Sequence, residues 1–162
     1  MGHWDDQRES NLLDGHAHFY DTYMCADNKY IAIGSIEPQF YKELLDKLEI
    51  DDQRFLDQYN KDLWPELKNL IASKVILKTR SEWEDIFSGT DACVTPVLNM
   101  SEAQQNIHNL KRNAFTDVDG FNQPSASPRY SVTKPEIKHN ARQVGSDFDE
   151  VCNEFGLSKA AF

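Results

Sequence analysis

The segment Asp14-Gly15-His16-Ala17-His18 places two imidazoles at alternate positions. Alternate residues on a strand share a face, so His16 and His18 could grip one divalent ion. A catalytic metal needs further ligands, and His3, His108 and His139 all fall in polar helix or loop contexts. A hydrolase built on such a pair also needs a (β/α) barrel of roughly 250 residues, and this chain has 162. The pair therefore reads as two surface or hairpin-edge histidines, and no metal is expected.

A second candidate is Cys93, which follows the turn Gly89-Thr90-Asp91-Ala92. A reactive thiol needs positive surroundings, whereas Asp91 would raise its pKa. Cys93 is expected instead as a buried structural residue on a strand. There is no G-x-S-x-G and no phosphate-binding glycine loop.

Glu37 is the third candidate. It lies between an apolar run (Ile31, Ile33, Ile36) and Pro38, at the junction of a strand and a helix. One reading is a helix-end anion, favoured by the helix dipole and needing no function. The other is a carboxylate held on an edge that faces a partner's cleft.

Elements must position these groups, and composition says which kinds are available. The hydrophobic share is 40% and the charged share 27%, with nine Phe, six Tyr and three Trp. Such a chain can bury a core without disulfide or metal support. Seventeen Lys and Arg oppose 27 Asp and Glu, a net charge of −10. That balance argues against a nucleic-acid partner, which needs a basic face, and against docking on an acidic membrane. No apolar run is long enough to span a bilayer, so no membrane span is expected. The N-terminus MGHWDDQRES lacks the apolar core of a secretory signal. Cys25, Cys93 and Cys152 are widely spaced and odd in number, which fits free thiols in a reducing, intracellular compartment.

Residues 1–18 are polar and read as a linker. Phe19–Cys25 and Tyr30–Ile36 are aromatic and β-branched around an Asp27-Asn28 turn, which predicts a hairpin. Phe40, Leu44, Leu45 and Leu48 follow at helical spacing. A second helix is predicted over Leu63–Leu77, with Asp62 as N-cap and Pro65 in the first turn. A third covers Ser81–Phe87, with Ser81 and Glu84 forming a capping box and Gly89 beyond its end. Cys93–Leu98 reads as a strand in which Pro96 argues for an edge or an irregular position. Ser101 is expected to cap a fourth helix running through Leu110. Phe115 to Pro135 is expected to be extended, with at most a short strand near Phe115 or Tyr130. Asp147–Phe155 reads as a last helix closed by Gly156. The fold class is α+β: a small, mostly antiparallel sheet packed with helices, then an extended Pro-rich segment and a C-terminal helix. The division is a 1–18 linker, a 19–122 small domain, and a 123–162 return segment with its helix.

Two long blocks carry a resemblance. The first is Asn11-Leu-Leu-Asp-Gly15, Phe19-Tyr-Asp-Thr-Tyr23 and Tyr30-Ile-Ala-Ile-Gly-Ser-Ile-Glu-Pro-Gln-Phe-Tyr41. The second is Ile86-Phe87 with Gly89-Thr-Asp-Ala-Cys-Val-Thr-Pro-Val-Leu98. Ser127-Pro128-Arg129 and Glu154-Phe155-Gly156-Leu157 follow in the same order. These stretches resemble the alpha-methylacyl-CoA racemases of the family III CoA-transferase (CaiB/BaiF-like) superfamily, over nearly the whole chain. Members are about twice this length or more, so the chain is expected to be the C-terminal part of one. The resemblance implies epimerisation at C2 of 2-methylacyl-CoA thioesters by removal and return of the α-proton. The His/Asp acid–base pair would come from a large domain that this chain lacks, so alone it would be inactive. Glu37 matches the family's glutamate that assists the partner subunit's histidine across a homodimer. Tyr20 matches a residue of the hairpin that approaches the site. No cofactor is implied beyond the CoA thioester substrate itself, which the absent large domain would mainly bind. Eukaryotic members are mitochondrial or peroxisomal, although Ala160-Ala161-Phe162 is not a peroxisomal tripeptide. One departure stands out: the family usually has Gly-Gly-Ala-Pro where this chain has Gly15-His16-Ala17-His18. A family III CoA transferase, or a non-catalytic module binding full-length subunits, are the alternatives.

Overall fold

The structure, a computed structural model, describes residues 4–158. The first three residues of the expected linker and the Ala160-Ala161-Phe162 terminus lie outside them. The chain divides into two compact units, Met1–Val97 and Leu98–Phe162. The division falls inside the 19–122 stretch read as one domain, directly after the third strand.

In the first unit, β1 (Tyr20–Met24) and β2 (Tyr30–Gly34) form the expected antiparallel hairpin, with Tyr20 opposite Gly34 and Met24 opposite Tyr30. Asn28 takes a left-handed φ of 59° in the turn, which asparagine tolerates. β3 (Val94–Val97) pairs antiparallel on the other side of β2, giving the order β1-β2-β3. Pro96 therefore lies on an edge strand, where a missing N–H costs least. Period-two alternation sends Tyr23, Ile31 and Ile33 into the core, whereas Thr22, Met24, Tyr30 and Val97 stay open on the opposite face.

Helices cover only the inner face. In α1 (Pro38–Leu48), Tyr41, Leu44 and Leu48 are buried; in α2 (Trp64–Val75), Trp64, Leu67, Ile71 and Val75 are. Both sets recur every three or four residues, the period of one helix face. α3 (Arg80–Phe87) adds Trp83 and Phe87. Each large side chain removed from water contributes about 1.5–3 kcal/mol before chain entropy is counted.

The helix starts differ from the sequence reading, each for a visible reason. Leu63, not Asp62, is the N-cap of α2, and no side chain caps it. Preceding turns already occupy those N–H groups, since Leu63 N donates to Asn60 O and Trp64 N to Lys61 O. For α3 the box is Thr79 with Glu82 rather than Ser81 with Glu84. Tertiary bonds fix that earlier start, because Arg80 donates its backbone N–H to Asp27 and its guanidinium to the Val97 carbonyl.

The C-terminal end of the expected linker is packed. Asn11 is buried, exchanges hydrogen bonds with the Asp5 backbone and donates to the Asp14 carboxylate, and Ala17 and His18 are fully buried.

The second unit begins with two short helices where one was expected. Asn99, not Ser101, caps α4 (Met100–Gln105) through a box with Glu102, and Asn106 then accepts from His108 N to start α5 (Ile107–Lys111). The stretch expected to be extended, with at most one short strand near Phe115 or Tyr130, has the strand at Phe115 and a second one paired to it: β4 (Phe115–Val118) forms a hairpin with β5 (Phe121–Pro124). Its turn is Asp119-Gly120, with φ of 55° and 82°, the left-handed pair that a two-residue hairpin loop demands. Near Tyr130 there is no strand. α6 (Phe148–Phe155) ends at Gly156 with φ 62°, as expected.

Candidate active site

Tyr20 opens β1 opposite Gly34, whose N–H donates to the Cys93 carbonyl at 2.9 Å. A Cβ built on Gly34 would sit 3.7 Å from the Tyr20 ring. Tyr20, Gly34 and Cys93 are thus brought together at one end of the open sheet face. A hollow of about 440 Å³ lies over that face, lined by Leu13, Tyr20, Ala32, Gly34, Cys93 and Thr95.

Glu37 occupies the N-cap position of α1, three residues beyond Gly34, with φ −74° and ψ 142°. Its carboxylate is exposed and does not cap the helix. Pro38 at the first helical position removes one N–H that a cap would have used. The Glu37 side chain also makes no hydrogen bond or ion pair among the described residues. Its charge is nevertheless felt at the sulfur of Cys93, which lines the hollow.

Cys93 is not the buried strand residue that was expected. It is exposed, precedes β3, and takes a left-handed φ of 54°. Desolvation of the thiol, followed by the Glu37 and Asp91 carboxylates, pushes its pKa up. A thiol held protonated in this way is a poor nucleophile.

The two histidines are not surface residues either. His18 is fully buried, with Nε2 2.7 Å from Tyr41 Oη, and the Tyr41 hydroxyl donates to the Phe55 carbonyl at 3.2 Å. Both bonds are satisfied when Nε2 carries the proton, which leaves Nδ1 buried without a partner. Burial lowers the His18 pKa to about 4, so the ring is neutral near pH 7. His16 is half-buried and meets the Trp64 ring edge-on, with centroids 5.2 Å apart. Residues 16–18 therefore pack on the core, His16 against Trp64 and His18 among Phe19, Tyr41 and Phe55. Among the described residues no group of three His, Cys, Asp or Glu is arranged to hold an ion. Gly15 keeps the left-handed φ of 93°, and Lys68 bridges its carbonyl to the Asp21 carboxylate.

The signal that would have located His18 is its setting, Ala17-His18-Phe19, an imidazole inside an apolar triplet. Leu13, Gly34 and Thr95 were missed as well. They are ordinary types in ordinary spacing, and only the open face of the sheet brings them together around the hollow.

No helix among the described residues is long and apolar enough to cross a membrane. In the crystal structure of Rv3272 from M. tuberculosis, a chain 17% identical superposes with a TM-score of 0.65, covering 82% of this chain and 38% of that one. The D175A mutant of Rv3272 gives the same TM-score and identity over 86% of this chain and 40% of that one. At such identity the likeness shows the fold alone. Sequence carries more. The alpha-methylacyl-CoA racemase of Mus musculus is 41% identical over 162 residues, which cover 98% of this chain and 42% of the mouse protein. The Homo sapiens racemase is 39% identical, over 96% of this chain and 41% of its own length. The chain thus spans about two-fifths of the length of the curated relatives it matches. A CaiB/baiF CoA-transferase family protein of Caenorhabditis elegans is 33% identical over 118 residues. The profile of CoA-transferase family III matches residues 2–148, and the chain belongs to that family.

Proposed function

We propose that this chain is the C-terminal part of an enzyme that epimerises C2 of 2-methylacyl-CoA thioesters. In this reading Glu37 supports the catalytic histidine of a partner subunit in a homodimer. The observation that carries it is the state of Glu37: an exposed carboxylate at a helix N-cap that caps no helix N–H and makes no hydrogen bond or ion pair among the described residues, with its charge reaching Cys93 on the wall of the open hollow. A carboxylate whose function was to end a helix would accept from the N–H of the second or third helical residue.

The chemistry follows from that state. The α-proton of a thioester is removed by a base on one face and returned by an acid on the other. An imidazole that alternates between neutral and cationic forms gains from a carboxylate on its far nitrogen. The carboxylate selects the tautomer and stabilises the cation. Glu37 is a positioning residue in this scheme, since it acts through the imidazole. Tyr20 and the small residues Ala32 and Gly34 give the hollow a floor that can approach the acyl group closely. The acid–base pair and most of the CoA contacts belong to residues outside this chain, and no cofactor is required. The two racemase relatives favour this reading over CoA transfer within the same family.

Two measurements test it. Incubated with a 2-methylacyl-CoA in heavy water, this chain alone leaves C2 undeuterated; supplied with the N-terminal half of a racemase it exchanges. Movement of CoA to a second carboxylate, without C2 exchange, would favour the transferase instead. In the full-length enzyme Glu37→Gln lowers kcat by about 10²-fold with KM changed far less, the range of a lost acid–base assistance. An unchanged kcat would return Glu37 to a helix-end anion.

A further inference from the structure

The second unit holds a separate hollow, far from Glu37 in sequence and lined only by residues 113–137. We propose that it is an anion site, taking a phosphate group carried on a small apolar or planar body. The proposal does not depend on the racemase reading.

Charge is the first argument. Residues 105–145 contain six Lys and Arg against three Asp and Glu, a local net of +3 in a chain whose total is −10. Such segregation concentrates attraction for anions on one segment of an acidic protein. The hollow measures about 500 Å³ and is lined by Arg129 and Lys134, with Glu136 as the one acid on its wall.

The second argument is how those cations are held. Arg129 donates through Nη2 to the Asn113 carbonyl at 3.0 Å, and Ser125 Oγ donates to the same carbonyl at 2.7 Å. One arm of the guanidinium is thereby anchored, and its other N–H groups make no hydrogen bond or ion pair among the described residues. A guanidinium fixed in advance loses less entropy on meeting a phosphate than a free one does. Lys134 makes no hydrogen bond or ion pair among the described residues, and neither cation is paired with Glu136. Two unneutralised cations sharing a concavity bind a doubly charged phosphate well.

The third argument is size and lining. A bare phosphate fills a small part of 500 Å³, whereas a nucleotide-sized molecule suits the range of small-ligand sites. Tyr130, 59% exposed, offers a ring face, and Pro135 and Ile137 add apolar wall. A phosphate on Arg129 and Lys134 with its organic body against Tyr130 satisfies both parts of the hollow.

The test is calorimetric titration of the complete chain at low salt with inorganic phosphate, AMP and free coenzyme A in separate arms. AMP is expected to bind saturably, more tightly than inorganic phosphate and more weakly as salt is raised. Lys134→Ala, which breaks no internal bond, is expected to weaken AMP at least threefold, and Lys134→Glu at least tenfold. Arg129→Lys serves as the second variant, because Arg129→Ala would also free the Asn113 carbonyl. Coenzyme A tighter than AMP would identify a CoA-borne phosphate as the source, and equal affinities a free nucleotide. Absence of saturable binding of all three up to about 10 mM overturns the proposal, since two unpaired cations in one concavity should exceed that limit. So does AMP binding that Lys134→Glu leaves unchanged.

Discussion

The two units of this chain are built on opposite terms. All seventeen residues of the hydrophobic core cluster lie in the first, between Ala17 and Ala92. In the second, Cys152 is the one described residue that counts as buried, and Val132, Val144, Phe121 and Ile107 stand exposed. Ninety-odd residues around a sheet with one covered face can supply their own driving force. A two-stranded hairpin with three short helices cannot do so from its own apolar contacts. The difference teaches where each unit's sequence is constrained. The first is constrained by its interior, and the second by what it presents outward.

The sharpest way to break that contrast is to truncate one aromatic in each unit. Trp64 is almost fully buried, donates from Nε1 to the Gln58 carbonyl at 2.8 Å and meets Phe19 and His16 edge-on. Trp64→Ala should cost about 3–5 kcal/mol and leave the first unit largely unfolded in a denaturant titration. Phe121→Ala, at a side chain 64% exposed on β5, should change stability by less than about 0.5 kcal/mol. Comparable losses at both positions would mean that the second unit has a core of its own.

A pH titration sharpens the same contrast inside the first unit. Glu37 and His18 are nineteen positions apart in sequence, yet one is an exposed carboxylate with nothing bound and the other a buried imidazole with one partner. His18 has a folded pKa of about 4 against the usual 6.5. The unfolded chain therefore takes up the proton first, and stability falls as pH drops from about 6.5 towards 4, then levels off. The full span is about 3 kcal/mol. Equilibrium unfolding at pH 7 and at pH 4.5 should show most of that loss. His18→Phe, which cannot titrate, should flatten the slope although it leaves Tyr41 without its ring partner. An unaltered slope in His18→Phe would move the acid sensitivity to other groups.

These residues also mark how far sequence reading reached. The hairpin, the edge position of Pro96, the three helical faces of the first unit and the Gly156 stop were all legible, because each rests on a local rule of period or turn chemistry. The Asp119-Gly120 hairpin is equally legible in its turn dipeptide, although the prolines and serines that follow it point to irregular chain. The capping residues were legible in kind but not in place. Thr79-x-x-Glu82 and Ser81-x-x-Glu84 satisfy one spacing rule, and the choice was made by Arg80 reaching Asp27 and Val97. Glu37 stands out by its place between strand and proline, while its lack of a partner among the described residues is a property of the fold. Burial of His18 depends on Tyr41 and Phe55, which lie 23 and 37 residues away, and no window of sequence contains them.

The smallest expected effect compares the two capping boxes, which share one chemistry in two settings. Thr79 accepts from Glu82 N and receives the Glu82 side chain at its own N–H, at the head of a helix that buries Trp83 and Phe87. Asn99 and Glu102 repeat the arrangement ahead of a six-residue helix with no buried residue. Replacing either cap by alanine removes an acceptor worth about 1 kcal/mol to its helix. In the first unit that loss is transmitted, because α3 cannot fray without withdrawing Trp83 from the core. Thr79→Ala should therefore lower global stability by about 1 kcal/mol in denaturant. α4 has nothing to withdraw, so Asn99→Ala should leave the global midpoint within error and raise amide hydrogen exchange only over residues 100–105. A global loss from Asn99→Ala would show that the first turn of the second unit shares the cooperativity of the first, and the division after Val97 would then be one of shape but not of stability.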